Sequence, residues 1–404
     1  MKLNIALTKM KSVTAKIRQL YEVPEERSRL IAMEGLRGFA VLLVFFVHLH
    51  ALFGIYVSSH PFLWGASAML GNIGNTGVDL FFVLSGYLIY GAVLRKTMPY
   101  FKFMKRRVER IYPTFLVVLA IYLLLSLAFP FENKIHGSFV SVTAYLLENA
   151  FLLPGIFHIV PIIAVAWSLS YEFFFYLSIP LIVKFTRMRS WKRIARISFF
   201  ALVWLSYLLY AFTVPRSQVR LLMFVAGILL FELMDSGWVR GKLTKQGEYG
   251  AISIFLASLA FVYFYDAHAG WLSFLPGLTA GRTILPGVPT FQGPYKVIAL
   301  TVSCILFTLY CFEFDGLLKR LFSWNPLRYL GNMSFSYYLI HGLTLHGVAT
   351  VASWIVPVRM QGVWIYFLAL SFGFMATWIT STLLFAFVEK PISLEHRRWV
   401  ARIW

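Results

Sequence analysis

Apolar residues in this chain come in blocks roughly 20 residues long, and that spacing constrains the fold more than any single motif. A helix rises about 1.5 Å per residue, so about 20 apolar residues cross a hydrocarbon core of about 30 Å. Within that core each backbone N–H and C=O must be satisfied inside the segment, which makes helices the structure for such blocks. Only 13% of the residues are charged and 59% are hydrophobic, whereas a water-soluble domain carries about 25% charged residues. The chain reads as all-α: a polytopic membrane helical bundle.

Ten spans fit the pattern, at about 37–56, 76–94, 109–129, 161–184, 197–214, 219–236, 249–266, 297–314, 329–355 and 362–388. The apolar stretch 140–157 is interrupted by Glu148, Asn149, Pro154 and Gly155 and reads as interfacial or re-entrant. Segments 1–37, 95–110, 184–196, 237–248, 315–328 and 389–404 hold 31 of the 37 Lys and Arg residues. Positive-inside bias therefore places both termini in the cytoplasm. The same bias accounts for the net charge of +20, so no nucleic-acid partner is implied. Residues 1–32 read as a basic tail, with or without a surface-lying helix around 5–20, residues 33–391 as the transmembrane unit, and 392–404 as a second basic tail. The Gly/Pro-rich connection 267–296 is long enough for a lid or a binding surface. Cys304 and Cys311 would lie about 10 Å apart on one helix, too far for a disulfide. There is no metal-spaced His/Cys set, P-loop or Gly-x-Ser-x-Gly elbow.

Arg37 and His48 lie eleven residues apart on the first span. Eleven helical steps of about 100° return to nearly the same azimuth while rising about 16 Å. One face thus carries a fixed cation near the membrane surface and a titratable imidazole deeper in. Ionisable side chains there need partners or a wet cavity and mark functional sites. His48 is the candidate general base; His50 points elsewhere and reads as structural. Gly35 and Gly38 leave room beside Arg37 for a ligand.

Asp79 and Glu172 are acids at membrane depth. Each either orients His48 or pairs with an arginine. Arg106, Arg107 and Arg110 at the entry to the third span serve topology or hold phosphates, for which arginine is well suited. His341, with Ser336 and further hydroxyls on the preceding turns, lines the same cavity or links helices. Arg220 holds a polar acceptor or anchors its helix.

Taken in order, these residues resemble the acyltransferase-3 family of integral-membrane O-acyltransferases. Met33-Glu34-Gly35-Leu36-Arg37-Gly38 with His48 is similar to its opening Arg-x10-His motif, with Glu34 where Asp is more usual. Gly77 to Gly86, Arg106-Arg107 with Arg110 and Pro113, Trp167-Ser168-Leu169 with Glu172, Arg220 with Phe224 and Gly227, Ser334 to His341, and Glu389-Lys390-Pro391 follow. The resemblance implies transfer of an acyl group, commonly acetyl, from cytoplasmic acyl-CoA to a hydroxyl of a cell-envelope glycan or glycolipid. The setting it implies is the bacterial cytoplasmic (inner) membrane, with no metal and with a homo-oligomer left open. It also leads one to expect a stand-alone unit without the SGNH hydrolase-like domain fused to some relatives. On this reading His48, with Asp79 or Glu172, carries the chemistry. Arg37, Arg106, Arg107 and Arg110 hold the donor, while Arg220, His341 and Ser336 face the acceptor. Direct transfer and an acylated histidine or serine intermediate both fit the residues. The rival reading is a carrier or flippase for an anionic or glycolipid substrate.

Overall fold

The computed structural model describes residues 16, 19–22, 31–129, 135, 137–214, 217–267, 293–356 and 362–395. The surface helix around 5–20, the 267–296 connection and the C-terminal tail fall largely or wholly outside these residues. The described residues are helical, without a strand. In chain order the helices are α1 (Ile31–Phe53), α2 (Pro61–Gly74), α3 (Thr76–Arg95), α4 (Tyr100–Ala128), α5 (Phe139–Ala150), α6 (Ala166–Phe185), α7 (Arg193–Thr213), α8 (Leu222–Asp235), α9 (Lys245–Ala267), α10 (Pro294–Glu313), α11 (Leu317–Phe322), α12 (Asn325–Asn332), α13 (Ser334–Ile355) and α14 (Val363–Leu384). A π-helical segment, Phe385–Glu395, continues from α14.

Among the described residues, eight helical stretches are long and apolar enough to cross a membrane. Ten were expected, and the two that fall short have physical reasons. Helix α8 has 14 residues, which is about 21 Å of helix. Ten of those residues are buried within the bundle. Helix α13 is long enough at 22 residues, but it carries Ser334, Ser336, His341, Thr344, His346, Thr350 and Ser353. The first span begins earlier than expected, at Ile31, so Arg37 lies inside the helix and not at its mouth. Helix α2 was not expected; Pro61 supplies its first residue, where a missing N–H costs nothing. The stretch expected to be interfacial or re-entrant is a short helix, α5, capped by Ser138. A turn follows with Leu152 and Gly155 at positive φ, pinned by Asn149 Oδ1, which accepts from the Ile162 N–H at 2.8 Å.

Membrane helices gain no hydrophobic drive from one another, so small residues and close backbones hold them. Helix α3 meets α8 at Gly86 and Gly227. A Cβ on Gly227 would lie 2.1 Å from the Val83 carbonyl oxygen, and one on Gly86 would lie 2.1 Å from that of Phe224. Phe82, Phe224 and Phe175 stack beside this crossing at 4.4 and 4.6 Å, joining α3, α8 and α6. Gly227→Ala is therefore expected to destabilise the purified protein by about 1–3 kcal/mol, as overpacking does. Gly250→Ala, where nothing lies within 4 Å, should leave thermal unfolding in detergent unchanged; equal melting of the two variants would refute the argument.

Helix α1 makes the same kind of contact with α11 and α12. Cβ atoms on Gly35, Gly38 and Gly331 would meet the Phe322, Leu327 and Glu34 carbonyl oxygens at 1.8, 2.0 and 1.7 Å. The room left by Gly35 and Gly38 is thus taken by neighbouring backbone and not by a ligand. Arg328 reaches Glu34 at 2.9 Å across this contact.

Candidate functional site

At the arginine-rich end of the bundle, six elements bring polar groups together. The wide π-helical turns after α14 set Glu389 inside the bundle, fully buried. Its Oε1 accepts from Arg110 of α4 at 2.6 Å. Its Oε2 accepts from the Ser336 N–H at 3.1 Å and the Ser336 hydroxyl at 2.6 Å. Ser336 is the third residue of α13, so its N–H is one of those a helix leaves without an internal partner. Glu389 therefore caps α13, and the helix dipole favours its charge there. The Ser336 hydroxyl, expected to face a substrate, is held by that carboxylate instead.

Glu172 of α6 accepts from Ser85 of α3 at 2.6 Å and from Tyr176 one turn on. Arg107 lies over the Tyr176 ring at 5.6 Å and over Phe103 at 5.3 Å. Arg37 stands among these groups, within electrostatic reach of Arg110, Glu389, Glu172 and Tyr176. Among the described residues its guanidinium takes part in no hydrogen bond or ion pair, and it is only partly covered. Three cations share two carboxylates here, leaving the Arg37 charge open to an anionic ligand.

Arg106 and Arg107 also line a cavity of about 1090 Å³ at the same end. Arg95, Lys96, Lys184, Arg189 and Arg240 join them on its wall, against two acids, Asp235 and Glu313. Arg37 and Arg110 lie outside this lining and connect to it through Arg107 and Tyr176. The predicted arginine set is thus divided between a basic vestibule and a deeper cluster. The vestibule's other cations were not singled out from sequence, because positive-inside bias already accounted for every one of them.

One face-repeat along α1, the His48 ring meets the His341 ring of α13 edge to face, with centroids 4.7 Å apart and planes at 76°. His48 is partly exposed, and among the described residues its ring nitrogens hold no hydrogen bond. His341 is fully buried. Its Nδ1 lies 2.8 Å from the Tyr338 carbonyl oxygen and 3.2 Å from that of Tyr337. His50, by contrast, is held by Ser67 at 2.9 Å beside Trp64.

Of the two places expected for Asp79, beside His48 or paired with an arginine, the structure gives it the second. Both of its oxygens accept from Arg220, at 3.1 Å each, and Arg220 also donates to the Asn75 carbonyl at 2.7 Å and lies over Trp167. Both partners are buried, and the pair joins α3 to the turn that opens α8. Arg220 is thereby occupied as well, rather than turned toward an acceptor. A buried carboxylate beside a guanidinium pairs with it because neither charge can be left alone in a low-dielectric interior. Glu172, the other acid considered for orienting His48, sits with Ser85 and Tyr176 in the arginine cluster.

The acyltransferase-3 family model, described as an acyltransferase domain, matches residues 30–385. The chain belongs to this family. As a member of the acyltransferase-3 family it is similar to the peptidoglycan O-acetyltransferase OatA of Listeria monocytogenes, at 24% identity over 394 residues, covering 91% of this chain and 56% of the relative. It is also similar to O-acetyltransferase OatA of Staphylococcus aureus, at 29% identity over 174 residues, covering 39% of this chain and 25% of the relative. The chain thus spans little more than half the length of the Listeria protein. No solved structure matches it. The acyltransferase-3 chain is an integral, multi-pass membrane protein, and the matched residues include Arg37, His48, Arg107, Arg110, Glu172 and His341.

Proposed function

We propose that this protein transfers an acyl group, acetyl in the simplest case, from acyl-CoA to a hydroxyl of a cell-envelope glycan, with His48 as general base. The observation that carries the reading is one helix face bearing an Arg37 with charge to spare and, about 16 Å further on, an imidazole whose nitrogens are free to act. The basic end of the bundle is read as cytoplasmic, in a bacterial inner membrane, and residues 33–391 as the catalytic unit. The vestibule of about 1090 Å³ is large for a small-molecule site and suits a nucleotide thioester. Its arginines and lysines suit phosphates. The names of the relatives, peptidoglycan O-acetyltransferase among them, support a cell-wall glycan as acceptor.

The donor enters from the basic end, its phosphates held by Arg106, Arg107 and their neighbours, and its pantetheine arm runs past Arg37 along α1 toward His48. The acceptor hydroxyl approaches from the opposite side. His48 takes the hydroxyl proton as the oxygen attacks the thioester carbonyl. The C–S bond breaks, and the thiolate recovers the proton from His48. Holding both reactants in one narrow passage supplies the proximity.

Donor capture is tested by equilibrium binding of labelled acetyl-CoA to the purified protein. Arg37→Gln and Arg107→Gln should each weaken binding about 10- to 100-fold, the worth of a charged hydrogen bond, with folding retained. Wild type that binds no acyl-CoA, but moves a lipid or glycan across liposomes, would replace this reading with a carrier.

A further inference from the structure

We propose that His341 is a positioning residue for this reaction: its Nε2 accepts the N–H of His48 and holds that imidazole with its other nitrogen toward the acceptor hydroxyl. The proposal rests on the reading of His48 as the base and asks what orients it.

Three observations carry it. The first is the tautomer. The groups nearest His341 Nδ1 are backbone carbonyls, at 2.8 and 3.2 Å, and a carbonyl can only accept, so Nδ1 carries the proton. Nε2 of the neutral ring is then a lone-pair acceptor. The second is burial: Nε2 is enclosed and has no partner among the described residues, on a side chain with no exposure. A purely structural histidine satisfied through Nδ1 alone would leave that acceptor desolvated for no gain. The third is the edge-to-face contact with His48 at 4.7 Å. At rest the two rings touch without a hydrogen bond, as catalytic pairs often do before substrate binds. Gly342 keeps the side next to His48 Nδ1 uncrowded: even a Cβ built there would come no closer to it than 4.0 Å.

The usual orienting group, a carboxylate, is engaged elsewhere: Asp79 by Arg220 and Glu172 by Ser85 and Tyr176. A neutral acceptor also suits this depth, because a second ionised carboxylate in the membrane interior would need a partner of its own. The proton balance is simple. His48 donates one N–H to His341 Nε2 throughout. Its other nitrogen takes the hydroxyl proton and returns it to the leaving thiolate, and His341 stays neutral.

The test compares wild type, His341→Phe, His341→Gln and His48→Ala as full chains in liposomes, with acetyl-CoA and peptidoglycan oligosaccharides. Phe keeps a ring without an acceptor; Gln loses the ring but can present a carboxamide oxygen near the place of Nε2. His341→Phe should lower kcat about 10- to 100-fold with the KM and Kd for acetyl-CoA unchanged, and His341→Gln should recover most of that loss. A packing role predicts the reverse order, with Phe better than Gln, and that order would overturn the proposal, as would wild-type kcat in His341→Phe. Where His341→Phe does not elute as a monodisperse protein, His341→Gln decides alone: kcat within threefold of wild type supports the role, and loss equal to His48→Ala overturns it. Wild-type turnover by His48→Ala would instead remove the base reading on which the proposal rests.

Discussion

His48→Ala should bind acetyl-CoA as wild type does and transfer about 10²–10⁴-fold more slowly, the usual worth of a positioned general base. The two halves of that result come from the spacing of the site. Arg37 lies about 16 Å from His48 along α1, and neither residue lines the vestibule, so removing the imidazole leaves the phosphate-holding groups in place. The ring is partly exposed and lies edge to face with His341, and the fold of the variant should persist. The measurement is single-turnover transfer of labelled acetyl to peptidoglycan oligosaccharides, alongside equilibrium donor binding. Undiminished transfer would show that the hydroxyl proton goes elsewhere. Loss of binding together with transfer would show that His48 holds the donor.

Asp79→Ala should destabilise the protein by about 3–5 kcal/mol, because it strands the Arg220 charge in a buried site. Asp79 has no exposed surface and Arg220 is 4% exposed, so water cannot take over the lost contacts. Replacing both partners at once, as Asp79→Leu with Arg220→Met, should restore most of the stability, since the pair's own desolvation is then avoided. Thermal unfolding in detergent reads the energies, and transfer activity reads the role. A double variant that folds and transfers acetyl establishes the pair as a tie between α3 and α8. One that folds and binds donor but transfers nothing would return Asp79 to the chemistry.

The candidate site was legible in part, and the part follows a physical line. Arg37 and His48 were found because an eleven-residue spacing needs nothing beyond one helix to put them on one face. Glu172, Asp79 and Arg220 were found because charge at membrane depth is conspicuous. Their pairings were not readable: Asp79 meets Arg220 across 141 positions and Arg110 meets Glu389 across 279, and helical periodicity carries no information at such separations. Ser336 shows the same limit. Its hydroxyl suggested a substrate contact, and the bundle gives it instead to a carboxylate 53 residues away.

By itself, then, the sequence determined the class of fold, the basic end and the face of α1 that carries Arg37 and His48, because hydropathy, charge bias and helical phase are local properties. Only the tertiary structure decided which charges cancel, where the vestibule opens and which ring lies against His48. These depend on backbones brought together at glycines such as Gly86 and Gly227 and on a π-helical turn that sets Glu389 inward, and contacts between distant segments are fixed by packing rather than by pattern.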